Sequence, residues 1–237
     1  MDGRGNNLAS IWQACDFFGR MRRWFDSKKR GAAARGQCDG IGMTDIVEDH
    51  IAAALDREGW AVLPRLLNDA ECDETAGLYA REEGFRSHVH MARHGFGRGE
   101  YRYFAYPLPP LVEALRGMLY ARLAPIANRW HERMGMAVHF PADHAEFPAR
   151  CHDAGQRRPT PLLLQYGAGD YNCLHQDLYG EHVFPLQVAV LLSAPGEDFI
   201  GGEFVLTEQR PRMQSRAAVV PLAKGDAVVF AVNVRPV

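Results

Sequence analysis

The chain has 237 residues and a formal net charge of −2, with 47% hydrophobic and 24% charged residues. This is the composition of a globular protein with a sizeable core, and it excludes a wholly disordered chain and a globally basic nucleic-acid-binding surface. No apolar run approaches the roughly 18 residues of a membrane-spanning helix, and the 23 glycines and 14 prolines favour a turn-rich β protein over a helical bundle.

Residues 1–42 are predicted to form an N-terminal extension. Apolar residues between Ile11 and Phe25 recur at steps of three or four, which predicts an amphipathic helix over residues 8–25. Its interleaved arginines would suit a membrane surface or nucleic acid. The interpretation we favour is an appendage, or even non-native upstream sequence, because the Gly-rich tract of residues 31–42 separates it from the main domain, predicted over residues 43–237.

Helices are predicted in the first part of that domain and strands in the second. The expected elements are a helix over 44–59, a strand over 60–64, a helix over 68–83, a loop over 85–99, an aromatic strand over 101–106, a helix over 109–134 with a kink at Pro125, a short helix over 145–154, and strands over 161–166, 183–193, 202–207, 217–221 and 227–234. This order predicts an α+β fold, and the regularly spaced strands favour a sandwich or jelly roll.

Five widely spaced cysteines without a Cys-x-x-Cys pair argue against a disulfide-rich scaffold or a structural zinc site. The N-terminus lacks the order of a signal peptide. We therefore expect a cytoplasmic protein.

The most informative short motif is His175-Gln-Asp177. Two residues separated by one position lie on the same side of an extended strand, so an imidazole and a carboxylate would lie together. With a second, distant histidine they would form the two-His-one-carboxylate set that holds Fe(II) and leaves coordination positions open. Taken alone, the pair is equally typical of a strand-end histidine bonded to a neighbouring aspartate.

The order of motifs around this pair resembles that of the 2-oxoglutarate/Fe(II)-dependent dioxygenase superfamily. Tyr166 precedes the pair, a long apolar strand follows it, and then come Gly201-Gly202-Glu203-Phe204 and Lys224-Gly225-Asp226-Ala-Val-Val-Phe230. The pattern is similar to prolyl-4-hydroxylase-like members and to AlkB-type nucleic-acid demethylases. Over residues 43–237 it resembles more closely a bacterial family named as oxygenases that act on damaged DNA.

The resemblance implies N-terminal helices packed on a double-stranded β-helix (jelly-roll) core, with His175 and Asp177 as catalytic iron ligands and Tyr166 as a contact of 2-oxoglutarate. It also implies Fe(II), 2-oxoglutarate and O2 as cofactor and co-substrates. The implied reaction is hydroxylation of a C–H bond, either in oxidative demethylation of damaged DNA or on a prolyl or other protein side chain. Leu164 stands where AlkB-type enzymes have an asparagine.

The chain departs from the family after the Lys-Gly-Asp strand. The family's third iron ligand, a histidine, and the arginine that binds 2-oxoglutarate follow that strand, but no histidine occurs after His182 and Arg235 is the last cation. We therefore expect a C-terminally truncated oxygenase whose jelly roll lacks its last strands and has an open sheet edge. A catalytically inactive jelly-roll binding protein and a cupin-like module remain alternatives.

Three further groups of residues are open to more than one interpretation. His88, His90 and His94 resemble a metal cluster, or with nearby arginines a phosphate-binding loop, but also suit a solvated loop. Tyr101, Tyr103 and Tyr106 could stack a flipped base or pack in the core. Cys173 could line the pocket beside His175 or have no such role.

Overall fold

A computed structural model describes residues 6–10, 43–178, 180–209, 212 and 214–236, with residues 6–10 and 43–49 described by their backbone. The helices are α1 (Met43–Glu58), α2 (Asp69–Gly77), α3 (Pro110–Arg133) and α4 (Glu146–Asp153), with 3-10 turns at Leu78–Ala80 and Met91–His94. The strands are β1 (Asn6–Ser10), β2 (Trp60–Leu63), β3 (Phe85–His90), β4 (Gly97–Arg98), β5 (Glu100–Phe104), β6 (Leu162–Tyr166), β7 (Tyr171–Asn172), β8 (Leu186–Leu191), β9 (Phe204–Glu208), β10 (Arg216–Val220) and β11 (Ala227–Ala231).

These strands form three antiparallel sheets and, within the described residues, do not close into a barrel. The largest sheet has the order β2-β11-β8-β1-β6-β5-β3, and β9–β10 and β4–β7 form two-stranded sheets. Mixed helices and antiparallel strands confirm the α+β prediction. The strands predicted in the second half of the chain are present, each within a few residues of its predicted bounds.

The central strands of the seven-stranded sheet pack through both faces of the sheet. One face, which we call the helix face, carries Phe104, Leu163, Val188 and Val229 and packs in the main core with α3. The opposite face, which we call the hairpin face, carries Ala189 and Val228 and packs with Val220 and Phe204 of the β9–β10 hairpin. All six residues of β8 are therefore buried, as is typical of a strand covered on both sides.

The sequence prediction was wrong for residues 85–99, where the structure has β3, a 3-10 turn and β4 in place of a loop. β3 pairs antiparallel with β5, and Val89 lies opposite Tyr101. The Arg, His and Gly content suggested a loop, but cross-strand pairing with an aromatic strand outweighs that composition.

The second predicted helix is shorter than expected. Asn68 caps α2 in a capping box with Glu71, but the helix ends at Gly77 and the 3-10 turn Leu78–Ala80 replaces its last part. That turn places the buried ring of Tyr79 edge-on to His88 of β3. Packing against the sheet thus decides where the helical segment ends.

Strand β1 lies between β6 and β8 and pairs with both; residue 8 is opposite Leu164 on one side and Leu191 on the other. Residues 8–10 therefore belong to a strand and not to the predicted amphipathic helix, and residues 11–25 lie outside the described residues. β1 thus pairs the backbone groups of β6 and β8 that face each other within the sheet.

A polar cluster lies under the N-terminal half of α3. Arg116 is buried, and the ring of Tyr120 lies 5.0 Å from that of His144 while its hydroxyl donates to the carbonyl of Pro141 at 2.7 Å. Burial, with the positive charge of Arg116, lowers the pKa of His144 from 6.5 to about 4. His144 is therefore neutral in the folded protein at pH 7.

We predict that this histidine makes the protein acid-sensitive. The pKa of His144 is lower in the folded state than in the unfolded state. The contribution of His144 to the free energy of unfolding is therefore fully present above pH 6.5 and is lost as the pH falls towards 4. His144→Gln should flatten the fall in unfolding free energy over this window by up to about 3 kcal/mol. Urea unfolding at pH 7 and pH 4.5 measures the effect. His139→Gln, at an exposed position, is the control; an equal slope in wild type and His144→Gln would contradict the prediction.

Candidate functional site

His175 and Asp177 lie in the segment between β7 and β8, which is irregular and not the strand that was predicted. Three contacts hold this segment in place. β7 pairs with β4, the amide of Cys173 donates to the carbonyl of Phe96 at 2.9 Å, and the side chain of Gln176 donates to Asn233 at 3.4 Å. The two side chains nevertheless converge, with His175 Nε2 3.5 Å from Asp177 Oδ1.

Each member of the pair is oriented through its other polar atom. Nδ1 of His175 lies 2.8 Å from the carbonyl oxygen of Cys173, which can only accept, so Nδ1 carries the proton. Oδ2 of Asp177 accepts from Nε2 of Gln187 on β8 at 2.9 Å. Nε2 of His175 and Oδ1 of Asp177 are thus left facing each other. Ligating histidines are commonly held by such a carbonyl contact, and ligating carboxylates by such a donor.

His175 and Asp177 each shift the pKa of the other. The hydrogen bond with Asp177 raises the pKa of His175 to about 9, against the opposing effect of burial. Burial acts to raise the pKa of Asp177, but hydrogen bonds from His175 and Gln187 outweigh it and lower that pKa. At neutral pH the pair is therefore an imidazolium–carboxylate pair. A cation that binds both atoms must displace the proton of the imidazole.

Tyr166, the last residue of β6, is buried on the same side of the sheet as Gln187. The register through β1 places Leu164 and Leu191 on one face, and Tyr166 and Gln187 share that face by strand alternation. Burial raises the pKa of Tyr166, so its hydroxyl stays protonated at neutral pH. The ring packs on Gly99, where a Cβ atom would lie only 2.7 Å from the ring.

Exposed apolar residues beside β4, in β7 and next to the pair in the chain form what we call the rim. Phe96, Tyr171, Leu174 and Leu178 are all exposed, and Leu174 is 68% exposed. The guanidinium of Arg98 lies 5.8 Å from the centre of the Tyr171 ring. β4 approaches β7 closely at Gly97, which has a φ of +122° and where any side chain would overlap the carbonyl of Tyr171. Cys173 is also exposed, between Tyr171 and His175.

Three further candidate site residues from the sequence are Tyr101, Tyr103 and His94. Tyr101 and Tyr103 are half-buried on the hairpin face, opposite Leu164 and Leu162, and their rings meet edge-on at 5.4 Å. His94 stacks on Phe96 and does not join the other two histidines of its segment. Both findings depend on strand pairing and could not be derived from composition.

Sequence reasoning missed Glu100, which joins His88 and His90. Its Oε2 lies 2.7 Å from His88 Nε2 and 3.2 Å from His90 Nδ1. Within the residues that the structure describes, these three form the one group of at least three His, Cys, Asp or Glu side chains close enough to hold a metal ion. Pairing of residues 85–90 with 100–104 places Glu100 across from His90, whereas the Arg, His and Gly content of residues 85–99 predicts a loop.

Among the described helices, the structure shows none with the length and apolar character needed to cross a membrane.

Comparison with known proteins gives one family and two relatives. The model of a family described as an oxygenase catalysing oxidative methylation of damaged DNA matches residues 99–237. Two uncharacterized proteins of Mycobacterium tuberculosis, one from strain CDC 1551 / Oshkosh and one from strain ATCC 25618 / H37Rv, are each 49% identical over 134 residues, or 56% of this chain. The match covers 58% of the length of each relative. No solved structure matches the chain.

We predict that Asp177 controls the titration of His175. In chelator-treated protein, Asp177→Asn should lower the pKa of His175 from about 9 to near or below its ordinary value of 6.5, because the hydrogen-bonded carboxylate is the largest cause of the increase. The titration of the imidazole carbon-bound protons, followed by NMR between pH 5 and pH 10, measures it. Glu197→Gln, an exposed acid-to-amide change on a turn, should leave that titration unaltered. An unchanged midpoint in Asp177→Asn would show that the pair does not interact in solution.

Proposed function

We propose that this chain, which belongs to the family of oxygenases described as catalysing oxidative methylation of damaged DNA, is an Fe(II)- and 2-oxoglutarate-dependent dioxygenase. Its proposed reaction is hydroxylation of a C–H bond, with damaged DNA as the substrate. Oxidation of an N-methyl group gives an N-hydroxymethyl group that leaves as formaldehyde, so the proposed outcome is removal of the methyl group.

The observation that carries the proposal is the orientation of His175 and Asp177. Nε2 of the imidazole and Oδ1 of the carboxylate face each other at 3.5 Å, while the other polar atom of each side chain is held by the protein. One imidazole nitrogen and one carboxylate oxygen fit two positions of the two-His-one-carboxylate set of non-haem iron oxygenases. The proposal assigns the third position to no residue of this chain.

Fe(II), when bound, would couple the conversion of 2-oxoglutarate and O2 into succinate and CO2 to the insertion of one oxygen atom into the substrate C–H bond. The chain's residues supply binding and orientation. Gln187 holds Asp177 through Oδ2, and the Cys173 carbonyl fixes the tautomer of His175. The protonated hydroxyl of Tyr166 is proposed to donate a hydrogen bond to a carboxylate of 2-oxoglutarate.

Arg235 is not available as the partner of the distal carboxylate of 2-oxoglutarate. Its guanidinium donates to the carbonyl of Asp56 at 2.7 Å and to Glu208 at 3.1 Å. Its side chain is 11% exposed. Arg235 thus ties the segment after β11 to α1 and β9, and the proposal gives it a structural role.

The rim supports a nucleic-acid substrate. Exposed Tyr171 and Phe96 offer aromatic faces on which an unpaired base can stack, and Arg98 beside Tyr171 supplies a cation for a phosphate. A net charge of −2 excludes a globally basic protein. The chemistry of the rim therefore suits a single damaged base with its adjoining phosphates better than a long duplex.

We further propose that the seven-stranded sheet and the β9–β10 hairpin are the two layers of a jelly-roll core, with residues 43–237 as the oxygenase domain and residues 1–42 as an extension that contributes β1. Support comes from the apolar cluster of Ala189, Val220 and Val228, which joins the two sheets.

A cytoplasmic location is proposed as well.

One observation favours a second candidate, a non-catalytic binding protein with the same core. Within residues 43–178, 180–209, 212 and 214–236, no third His, Cys, Asp or Glu lies close enough to His175 and Asp177 to complete a metal site. A two-residue site binds a metal more weakly than a three-residue site. Turnover separates this candidate from the first.

The test is succinate formation from 2-oxoglutarate by purified chain with Fe(II) and ascorbate, with formaldehyde measured on methylated single-stranded DNA. We predict that wild type forms both products and that His175→Ala and Asp177→Asn each reduce the rate by at least about 100-fold. Glu197→Gln and His139→Gln should retain full activity. Succinate with a proline-containing peptide and without formaldehyde from DNA would transfer the proposal to protein hydroxylation. Absence of succinate under every condition would support the binding protein.

A further inference from the structure

We propose that His88, His90 and Glu100 form a second, separate site for a divalent transition-metal ion, with zinc as the best-suited ion. The site goes beyond the proposed oxygenase function and does not depend on it. Two histidines and a carboxylate are a ligand set that zinc and its neighbours in the first transition row prefer.

The β3–β5 hairpin builds the site. His88 and His90 are separated by one residue and point to the same side of β3. The register places Glu100 of β5 directly opposite His90 and places Arg102 opposite His88. All three ligands therefore come from paired strands whose backbones are fixed by a ladder of hydrogen bonds, which is the type of scaffold that holds a ligand set in place.

The distances between the donor atoms fit a bound ion. With metal–ligand bonds near 2.0–2.1 Å, two donors of one tetrahedral or octahedral ion lie about 2.9–3.4 Å apart. Glu100 Oε2 lies 2.7 Å from His88 Nε2 and 3.2 Å from His90 Nδ1, and all three atoms lie within 4.8 Å of one another.

The site is open to solvent on one side and closed on the other. The His88, His90 and Glu100 side chains are 34%, 44% and 28% exposed, so water can fill the remaining coordination positions. Below, the buried ring of Tyr79 lies edge-on to His88 at 6.4 Å. Arg102, the nearest cation on this face, lies over the Tyr79 ring and donates to the carbonyl of Arg81. The positive charge of Arg102 lowers the affinity of the site for zinc, and we expect a dissociation constant on the order of micromolar.

The site lies on the opposite face of the sheet from the His175–Asp177 pair. Glu100 shares its face of β5 with Phe104, which belongs to the helix-face core, and is paired with Gln165 of β6. Tyr166 and Gln187 belong to the hairpin face. Strand alternation thus prevents the two ligand sets from sharing one ion. A metal at His88, His90 and Glu100 would instead clamp edge strand β3 to β5.

The experiment is zinc titration of chelator-treated full chain by calorimetry, with the thermal midpoint as a second readout. We expect one zinc per chain to remain in the double variant His175→Asn/Asp177→Asn, which removes the other pair. In that background Glu100→Gln and His90→Gln should each weaken zinc binding at least about tenfold. His94→Gln, four residues further on and stacked on Phe96, should bind zinc like its parent.

Saturating zinc should raise the thermal midpoint by at least about 4 °C in wild type but not in Glu100→Gln. If Glu100→Gln unfolds, His90→Gln still tests the proposal, because the side chain of His90 is the most exposed of the three ligands. The proposal is overturned if the double variant binds no zinc tighter than about 100 µM, or if both ligand variants bind as tightly as their parent. Succinate formation by His90→Gln is measured in parallel, so that failure of the oxygenase proposal is distinguished from failure of this one.

Discussion

Packing of the central strands of the seven-stranded sheet through both of their faces is the constraint on which the rest of this structure depends. Because side chains alternate along a strand, each strand must supply two different sets of residues. β8 meets this requirement with six buried residues, of which Val188 and Val190 face the helices and Ala189 faces the β9–β10 hairpin. The same alternation sends Gln187 to the hairpin face, where it holds Asp177. Position within the sheet thus determines which polar residues can take part in which site.

The candidate centre depends on an irregular segment fixed by regular strands. His175 and Asp177 have no secondary structure of their own, yet their polar atoms are oriented by the Cys173 carbonyl and by Gln187. Close approach at two glycines supports this arrangement: Gly97 lets β4 pair with β7, and Gly99 accommodates the Tyr166 ring. Loops held by a rigid scaffold commonly carry function for this reason. The family match over residues 99–237 includes Glu100, Tyr166, His175 and Asp177, but not His88 or His90.

The N-terminal strand adds a second consequence of sheet burial. Without β1, the backbone groups of β6 and β8 that face each other would be unpaired within the sheet, which is costly. Residues 6–10 satisfy these groups by pairing with both neighbours. Completion of the sheet therefore links the far N-terminus of the chain to the strands that flank the candidate centre.

The sequence by itself determined the α+β class, most strands and helices and the candidate pair His175 and Asp177, because periodicity, capping residues and short motifs are local signals. Only the tertiary structure decided that residues 85–99 are a strand, a turn and a strand, that residues 8–10 are a strand, and that Glu100 joins His88 and His90 while His94 does not. The physical reason is that strand pairing is long-range: hydrogen bonds to a distant partner and burial on a given face can outweigh local composition. The partners of His175 and Asp177 were likewise beyond local reasoning, since Gln187 reaches the site only through the alternation of a strand buried on both sides.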